Sequence, residues 1–250
     1  MDAACTAAGT IAFPGPAIGR MPCDACGLRA LCFPPAAEGA LVPRVRTVRR
    51  GALLFRRGEP FREIAAPRVG FFRTRVLAPP LRELVTGFQM AGDLIGVEGA
   101  DTGAYACDVV ALEDAQVCVL DFAAAADLCR DGAGVLRQFQ RATAAVMERQ
   151  LALIALLAHP VPAERRLAAF LHDWLLRLRR VGLAGAKENE MLLRMRRAEI
   201  ASLLGLSLET VSRCFTRLQA EGLIEAENRH VTVRDEARLA QAAGRAGAHD

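Results

Sequence analysis

The sequence lacks the segments that direct a chain into or across a membrane. Pro14 and Pro16 interrupt residues 1–19, which also lack a basic start, so no secretory signal is indicated. No stretch approaches the ~20 apolar residues that a bilayer-spanning helix needs. The longest clean apolar run is LALIALLA at 151–158. We therefore expect a cytoplasmic protein without a membrane partner.

Signatures of catalysis are also missing. The four histidines (His159, His172, His230 and His249) are scattered along the chain. No nucleophile elbow, phosphate loop or carboxylate pair within a motif is present. The sequence therefore does not predict an enzyme.

The composition suits one large globular domain or two ordinary ones. The chain has 250 residues, of which 52% are hydrophobic, and a net charge of +4. This small basic excess permits nucleic-acid binding without indicating it, because a modest net charge can conceal a basic face.

The residue pattern divides the chain into four segments. Residues 1–40 are rich in alanine, glycine, proline and cysteine and predict an irregular cysteine-rich arm. Residues 41–130 hold short β-like runs between turn signals, at the spacing of a small sandwich or barrel. A long helix is expected within 131–160, and a mostly helical region within 161–250. The overall class is α+β.

The long helix is predicted from Leu136 to Ala158, where the prolines of HPVP end it. One apolar seam at helical spacing comprises Leu136, Thr143, Met147, Leu151 and Ile154. An alternative seam comprises Phe139, Val146, Leu153 and Leu157. Two apolar faces suggest that one packs on the helix's own domain and the other on a second copy. Burial of the whole helix within one chain is the competing interpretation.

The segment RRAEIASLLGLSLETVSRCFTRLQAEGLI, from Arg196 to Ile224, predicts a helix–turn–helix. A short helix over 198–204 leads to Gly205, which supplies the backbone freedom of the corner. Ser207 is a good N-cap for the second helix. The following EAENRHVTVRD predicts two short strands around a turn at Asn228–Arg229, which together form a wing. A packed helical hairpin with a solvated charged face is the alternative.

The second helix carries residue types that read duplex DNA. Arginine donates two hydrogen bonds to guanine, and glutamate accepts one from cytosine. Serine and threonine can form hydrogen bonds to bases or phosphates, and Arg217, further along the helix, is expected to contact the DNA backbone. No aromatic platform for single strands is present. The predicted DNA-binding residues are Ser207, Glu209, Thr210, Ser212, Arg213 and Arg217.

Three cysteines are concentrated in CDACGLRALC, with the spacing C-x2-C-x5-C at Cys23, Cys26 and Cys32. Cytoplasmic thiols stay reduced, so metal binding or redox chemistry is favoured over structural disulfides. Such a loop can turn three thiolates toward one centre, and a fourth ligand must come from elsewhere. Four thiolates suit a 4Fe–4S cluster or zinc equally well. Three other cysteines are interpreted as incidental: Cys5, Cys129 and Cys214.

With these motifs, the chain resembles the CRP/FNR transcription regulators, specifically the oxygen-sensing FNR branch, from about Cys23 to Leu239. The segments that carry the resemblance are CDACGLRALC, VTGFQMAGDLIG, AQVCVLDF, AERRLAAFL and LGLSLETVSRCFTRLQ. The recognition pattern E-x-x-S-R is met by Glu209, Ser212 and Arg213. The resemblance implies a jelly-roll sensor domain of the cyclic-nucleotide-binding type, a long dimerisation helix and a C-terminal winged helix. It also implies a palindromic site with TTGA-type half-sites.

The resemblance favours the 4Fe–4S cluster and identifies Cys118, in QVCVLDF, as the distant ligand, with Cys107 as the rival. It implies that oxygen converts the cluster, that the homodimer then separates, and that DNA affinity falls. Gene activation further implies contact with RNA polymerase. Residues expected to shield the cluster or moderate its charge are Arg20, Leu28, Arg29, Leu31 and Phe33. A zinc-stabilised or cluster-independent regulator is the alternative.

Two details distinguish this chain within the resemblance. GDLIGVEGADTGAYACDVVA has glycines but no arginine where a cyclic nucleotide phosphate would need one, so nucleotide binding is not expected. Leu151 occupies a seam position where the FNR pattern tends to be polar, and Glu148 is the nearby acid. We therefore expect more dimer to remain after cluster loss than in typical FNR proteins.

Overall fold

The computed structural model describes residues 23, 26, 29–32, 41–78, 82–158, 160–185 and 188–244. Within them, backbone contacts separate two compact units. The first contains the described residues up to Val76 together with Thr86–Arg149. The second contains the described residues of Leu77–Val85 and of the chain from Gln150 onward. The architecture is α+β, as the sequence predicts.

A short helix, α1 (Arg29–Cys32), is followed by seven antiparallel strands that build the N-terminal roll. They are β1 (Arg44–Val48), β2 (Leu53–Phe55), β3 (Glu63–Val69), β4 (Phe72–Ala78), β5 (Arg82–Gln89), β6 (Asp108–Ala111) and β7 (Ala115–Asp121). Three of them form a sheet in the order β1-β7-β3, and the other four form a sheet in the order β2-β6-β4-β5. This two-sheet arrangement matches the predicted jelly-roll sensor domain.

The inside of the roll is closely packed. On β7, Ala115, Val117 and Val119 are buried, and the residues between them point to the opposite face. The turn between β3 and β4 depends on Gly70, which has a φ of +90°. A Cβ at Gly70 would lie 2.6 Å from the Cβ of Ala115, so a larger residue would push this turn away from β7.

Two helices follow the roll. The first, α2 (Phe122–Asp131), begins where the Asp121 carboxylate accepts a hydrogen bond from the Ala124 backbone N–H at 2.9 Å. The second, α3 (Ala133–Ala158), begins three residues before the predicted start and ends before Pro160, as expected. Its Val135 is buried against the outer face of the β1-β7-β3 sheet, together with Ile64 and Leu120.

The C-terminal unit is helical with a small sheet. Its elements are α4 (Ala163–Arg180), β8 (Glu190–Leu192), α5 (Arg197–Leu204), α6 (Leu208–Ala220), β9 (Ile224–Glu227), β10 (His230–Val233) and α7 (Glu236–Ala242). The wing turn at Asn228–Arg229 lies between β9 and β10, as predicted. The sequence missed β8, which pairs with β10 and makes the wing three-stranded. Only three residues form β8, so its period was too short to detect.

Among the described residues, none of the helices combines the length and the apolar character that crossing a membrane requires.

Candidate nucleic-acid interface and cysteine site

The corner between α5 and α6 has the backbone geometry that the sequence predicts. Gly205 lies in the left-handed region with a φ of 62° and closes the end of α5. The Ser207 Oγ then accepts a hydrogen bond from the Thr210 backbone N–H at 3.1 Å, which caps the start of α6. The two hydroxyls of Ser207 and Thr210 are also 2.9 Å apart. These two predicted DNA-binding residues therefore hold the helix start in place.

One face of α6 is buried and the opposite face is exposed. Val211, Cys214, Phe215 and Leu218 are all nearly inaccessible to solvent. Burial raises the pKa of the Cys214 thiol, in agreement with its interpretation as a small apolar residue.

On the other side of α6, Glu209 and Arg213 are exposed one helical turn apart, and Ser212 is half-buried beside them. Both side chains lie on the surface of a packed helix, so DNA can contact them without a rearrangement of the fold. This arrangement can present both side chains to base edges.

Arg217 is exposed on the same helix but already has two acidic neighbours. Its Nη1 donates to the Glu164 Oε1 at 2.9 Å, and its Nε donates to the Glu221 Oε1 at 3.2 Å. The hydrogen bond to Glu221 and the charge of Glu164 raise the pKa of the Arg217 guanidinium. The expected phosphate contact would therefore require Arg217 to exchange partners.

A second group of arginines, which the sequence interpretation did not single out, lies beside the wing. Arg196, Arg197 and Arg229 line one small cleft between the start of α5 and the wing turn. The Arg197 guanidinium lies 4.7 Å from the centre of the Phe215 ring, which ties it to α6. The signal was present in the letters RMRR and NRH, but no periodicity relates segments so far apart in sequence.

The cysteine arm forms a turn followed by one helical turn. The Cys26 N–H donates to the Cys23 carbonyl and the Arg29 N–H donates to the Cys26 carbonyl, each at 3.1 Å. Helix α1 (Arg29–Cys32) follows. Cys26 and Cys32 are half-buried and pack against the apolar cluster that contains Ile64, Leu120 and Val135. We call this cluster the outer cluster.

Of the two candidates for the fourth ligand, Cys118 lies on the outer side of the roll and Cys107 lies in its interior. Cys118 on β7 is paired with Ala66 on the neighbouring strand β3, and Ala66 belongs to the outer cluster. Cross-strand partners point to the same face, so Cys118 is on the side that Cys26 and Cys32 contact. Cys118 alternates with Val117 and Val119, which face the interior.

The rival, Cys107, belongs to the interior of the roll. Its thiol lies 3.4 Å from the Glu98 Oε1 and donates to that carboxylate. Burial, together with the charge of Glu98, strongly raises the pKa of Cys107. A thiolate ligand needs the opposite environment, which favours Cys118.

The donor set fits a four-thiolate group by residue type and by the face it occupies. Within the described residues, no group of three or more His, Cys, Asp or Glu side chains is close enough to hold a metal ion. Of the other residues named for this region, Arg29 is exposed, whereas Cys5, Arg20, Leu28, Phe33 and the Leu31 side chain lie outside the described residues.

Aromatic rings pack together in the interior of the roll. Phe55 and Tyr105 stack with ring centres 4.3 Å apart, and Phe61 meets Tyr105 edge-on at 5.5 Å. A Cβ at Gly96 would lie 3.0 Å from the Phe55 ring, so these residues are packed with little slack. That the roll does not bind a nucleotide stays a prediction.

Helix α3 has one covered and one uncovered apolar face. Phe139 and Val146, from the alternative seam, pack on the outer cluster of their own roll. From the predicted dimer seam, Met147, Leu151 and Ile154 are 61%, 63% and 59% exposed. Leu136 is also exposed, and Thr143 is half-buried, its Oγ1 donating to the Phe139 carbonyl at 3.0 Å. Two residues of the alternative seam therefore face the roll, whereas its Leu157 is exposed, and a dimer through the other seam stays a prediction.

An ion pair joins α3 to the roll and was not predicted. Arg149 Nη2 lies 3.3 Å from the Asp93 Oδ1. Asp93 is almost fully buried, and its other carboxylate oxygen accepts from the Met90 backbone N–H at 2.8 Å. These contacts tie the part of α3 up to Arg149 to the roll.

Two sequence profiles match this chain. Residues 45–131 match the profile described as the cyclic nucleotide-binding domain. Residues 165–242 match the profile described as the Crp-like helix-turn-helix domain.

Curated relatives and a solved structure cover nearly the whole chain. The transcriptional activator protein anr of Pseudomonas aeruginosa is 34% identical over 229 residues, covering 89% of this chain and 92% of the relative. The fumarate and nitrate reduction regulatory protein of Escherichia coli K12 is 29% identical, covering 89% and 90%. The structure of FixK2 from Bradyrhizobium japonicum matches with a TM-score of 0.71 at 26% identity, covering 84% of this chain and 100% of that chain.

Proposed function

The chain belongs to the CRP/FNR family of transcription regulators, and from this premise we propose that it senses oxygen through a 4Fe–4S cluster and binds a TTGA-type palindrome as a homodimer. At the coarser level, it is a DNA-binding transcriptional activator of the FNR/Anr type and not an enzyme. The finer proposal adds the signal, the cofactor and the DNA sequence. It also includes action in the cytoplasm and contact with RNA polymerase.

The observation that carries the DNA-reading part is the exposed pair Glu209 and Arg213 on a capped, packed helix. Glu209 accepts from a cytosine amine, and Arg213 donates to guanine O6 and N7. Ser212 stands beside them and completes the pattern E-x-x-S-R. Because α6 is held by its buried face and its N-cap, these side chains are positioned before DNA arrives.

The cofactor part is supported by the common face of the cysteines. Cys23, Cys26, Cys32 and Cys118 would hold the cluster, since the last of these lies on the sheet face that Cys26 and Cys32 contact. A bound 4Fe–4S cluster would supply an oxygen-labile iron–sulfide centre at this face. A cluster held by the arm and by Cys118 would join the arm to the sheet, so its binding would also stabilise this unit.

The outer cluster supplies a physical route from the arm to the dimer helix. Cys26 and Cys32 contact the same apolar group that Val135, Phe139 and Val146 of α3 contact. A change in how the arm packs therefore changes the support under α3 without any long-range mechanism.

A dimer through the exposed seam of α3 would place two copies of α6 on one duplex. The second half-site contact then becomes intramolecular, which raises the overall affinity well above that of a monomer. Loss of the dimer would remove this gain and leave weak binding.

The proposal is tested by anaerobic purification, iron and sulfide analysis, and visible spectra before and after exposure to air. We expect a coloured protein whose cluster absorption changes in air. A colourless protein with stoichiometric zinc would contradict the cluster and favour the zinc-stabilised alternative.

The ligand assignment is tested with a matched pair of variants. Cys118→Ser should abolish cluster binding, whereas Cys107→Ser should retain it, because serine can keep the buried hydrogen bond to Glu98. The reverse result would show that Cys107 is the fourth ligand.

A further inference from the structure

We propose that Glu164 competes with DNA phosphate for Arg217 and thereby restrains the sequence-independent part of DNA affinity. This inference rests on DNA binding through α6 and adds a residue outside the helix–turn–helix to it. Glu164 lies on α4, before the motif begins, and the sequence interpretation gave it no role.

Arg217 is placed where a backbone-contacting residue is expected. It follows Arg213 by four residues, so the two lie about one turn apart on the exposed side of α6. The Arg217 side chain is 63% exposed, yet its guanidinium contacts Glu164 at 2.9 Å and Glu221 at 3.2 Å. The residue that should meet phosphate is therefore held by carboxylates in the unbound protein.

Glu164 is fixed independently of Arg217. It lies in the first turn of α4, where the helix dipole favours a negative charge. Helix α4 is anchored by the fully buried Leu167 and Leu171. The Arg166 Nη1 also donates to the Leu204 carbonyl at 3.0 Å, which ties this turn to the corner of the helix–turn–helix.

Glu221 differs because it belongs to α6 itself, where it is the helix C-cap. Glu221 and Arg217 are four residues apart on the same helix, so their ion pair moves with that helix and contributes little to which group Arg217 contacts. Glu164 alone brings a carboxylate to Arg217 from a separate helix. This is why the competition is assigned to Glu164.

The size of the contact suits an exchange. An exposed ion pair changes an equilibrium constant by only about two- to fivefold, so it lowers DNA affinity without preventing binding. Phosphate competes well because each neutralised phosphate releases a condensed counterion. Phosphates occur in every sequence, so the restraint should act equally on specific and random duplexes.

The test is Glu164→Gln, measured by fluorescence anisotropy on a TTGA-type duplex and a random duplex over about 50–200 mM salt under anaerobic conditions. The variant should bind both duplexes about two- to fivefold more tightly per half-site at low salt. The slope of log K against log salt should stay nearly the same, because Arg217 contacts a phosphate in both complexes and only the cost of leaving Glu164 is removed.

Two controls separate this mechanism from a simple change of charge. Glu225→Gln removes the same charge from the wing, where Glu225 is paired with Arg234, and should raise the DNA affinity less. In an Arg217→Ala background, Glu164→Gln should have no further effect, because the contested group is gone.

An unchanged affinity for both duplexes, an equal effect from Glu225→Gln, or an effect that persists without Arg217 would each overturn the competition. Failure of the unsubstituted protein to bind either duplex is a different result. It would refute DNA reading through α6, and the competition with it.

Discussion

The helix–turn–helix and the cysteine arm are both dense in sequence motifs, but they differ in what is proposed to hold them in place. At the helix–turn–helix, packing and local hydrogen bonds position Gly205, Ser207 and Phe215. In the arm, Cys26 and Cys32 pack on the outer cluster, and among the described residues no three metal-ligating side chains form a metal site. The first region is built by its own packing, whereas the second is proposed to be completed by a bound cluster.

The strongest way to break this comparison is to remove the packing under α6. Phe215→Ala empties a fully buried position and should lower the free energy of unfolding of the C-terminal unit by about 3–5 kcal/mol. Chemical denaturation followed by far-UV circular dichroism measures this. Because packing rather than a cofactor builds this unit, the loss should be equal with and without metal.

Phe170→Ala is the control, since this half-buried ring on α4 should cost less. A loss from Phe215→Ala that appears only in metal-loaded protein would show that the helix–turn–helix also depends on the cofactor.

The second largest effect concerns the dimer seam of α3. Through this seam the protein should remain dimeric even when no cluster is bound to the arm. Leu151→Glu places charge on the exposed apolar face of α3. It should weaken the dimer by about 3 kcal/mol or more, because two apolar side chains lose their burial. Analytical ultracentrifugation of cluster-free protein measures this.

Ala152→Glu is the matched control, because Ala152 is exposed on α3 but lies off the seam. Cluster-free unsubstituted protein that sediments only as monomer at micromolar concentration would refute the retained dimer.

The third prediction sharpens the account of base reading. Arg213→Ala should cost about 1–3 kcal/mol of binding free energy and relax the preference at one base position. Competition binding with a set of single-base variants of the duplex measures both. Arg234→Ala removes an arginine of the wing as the control. Equal losses on specific and random duplexes would show that Arg213 contacts only phosphate.

The smallest effect tests the local rule at the start of α6. Ser207→Ala removes the acceptor of the Thr210 N–H and should destabilise the C-terminal unit by about 1 kcal/mol. Thermal denaturation of this variant and of Ser207→Gly provides the measurement. Ser207→Gly should cost only a few tenths of a kcal/mol, since glycine leaves this N–H open to water. If both variants cost the same, the hydroxyl is not the important cap.

The accuracy of the sequence interpretation followed the range of the interactions. The corner at Gly205, the cap at Ser207 and the turn at Asn228–Arg229 were all predicted, because each depends on neighbours within a few residues. Strand β8 was missed, because its three residues become a strand only through pairing with β10. The Arg149–Asp93 pair was missed for the same reason, since its partners are distant in sequence.

The sequence by itself determined the fold class, the reading helix and the two apolar faces of α3, because periodicity and capping are local properties. Only the tertiary structure decided which face of α3 is covered and that Cys118 and Cys107 lie on opposite sides of the sheet. It also brought Glu164 to Arg217. These three outcomes depend on strand register and helix packing, which join residues that no local pattern relates.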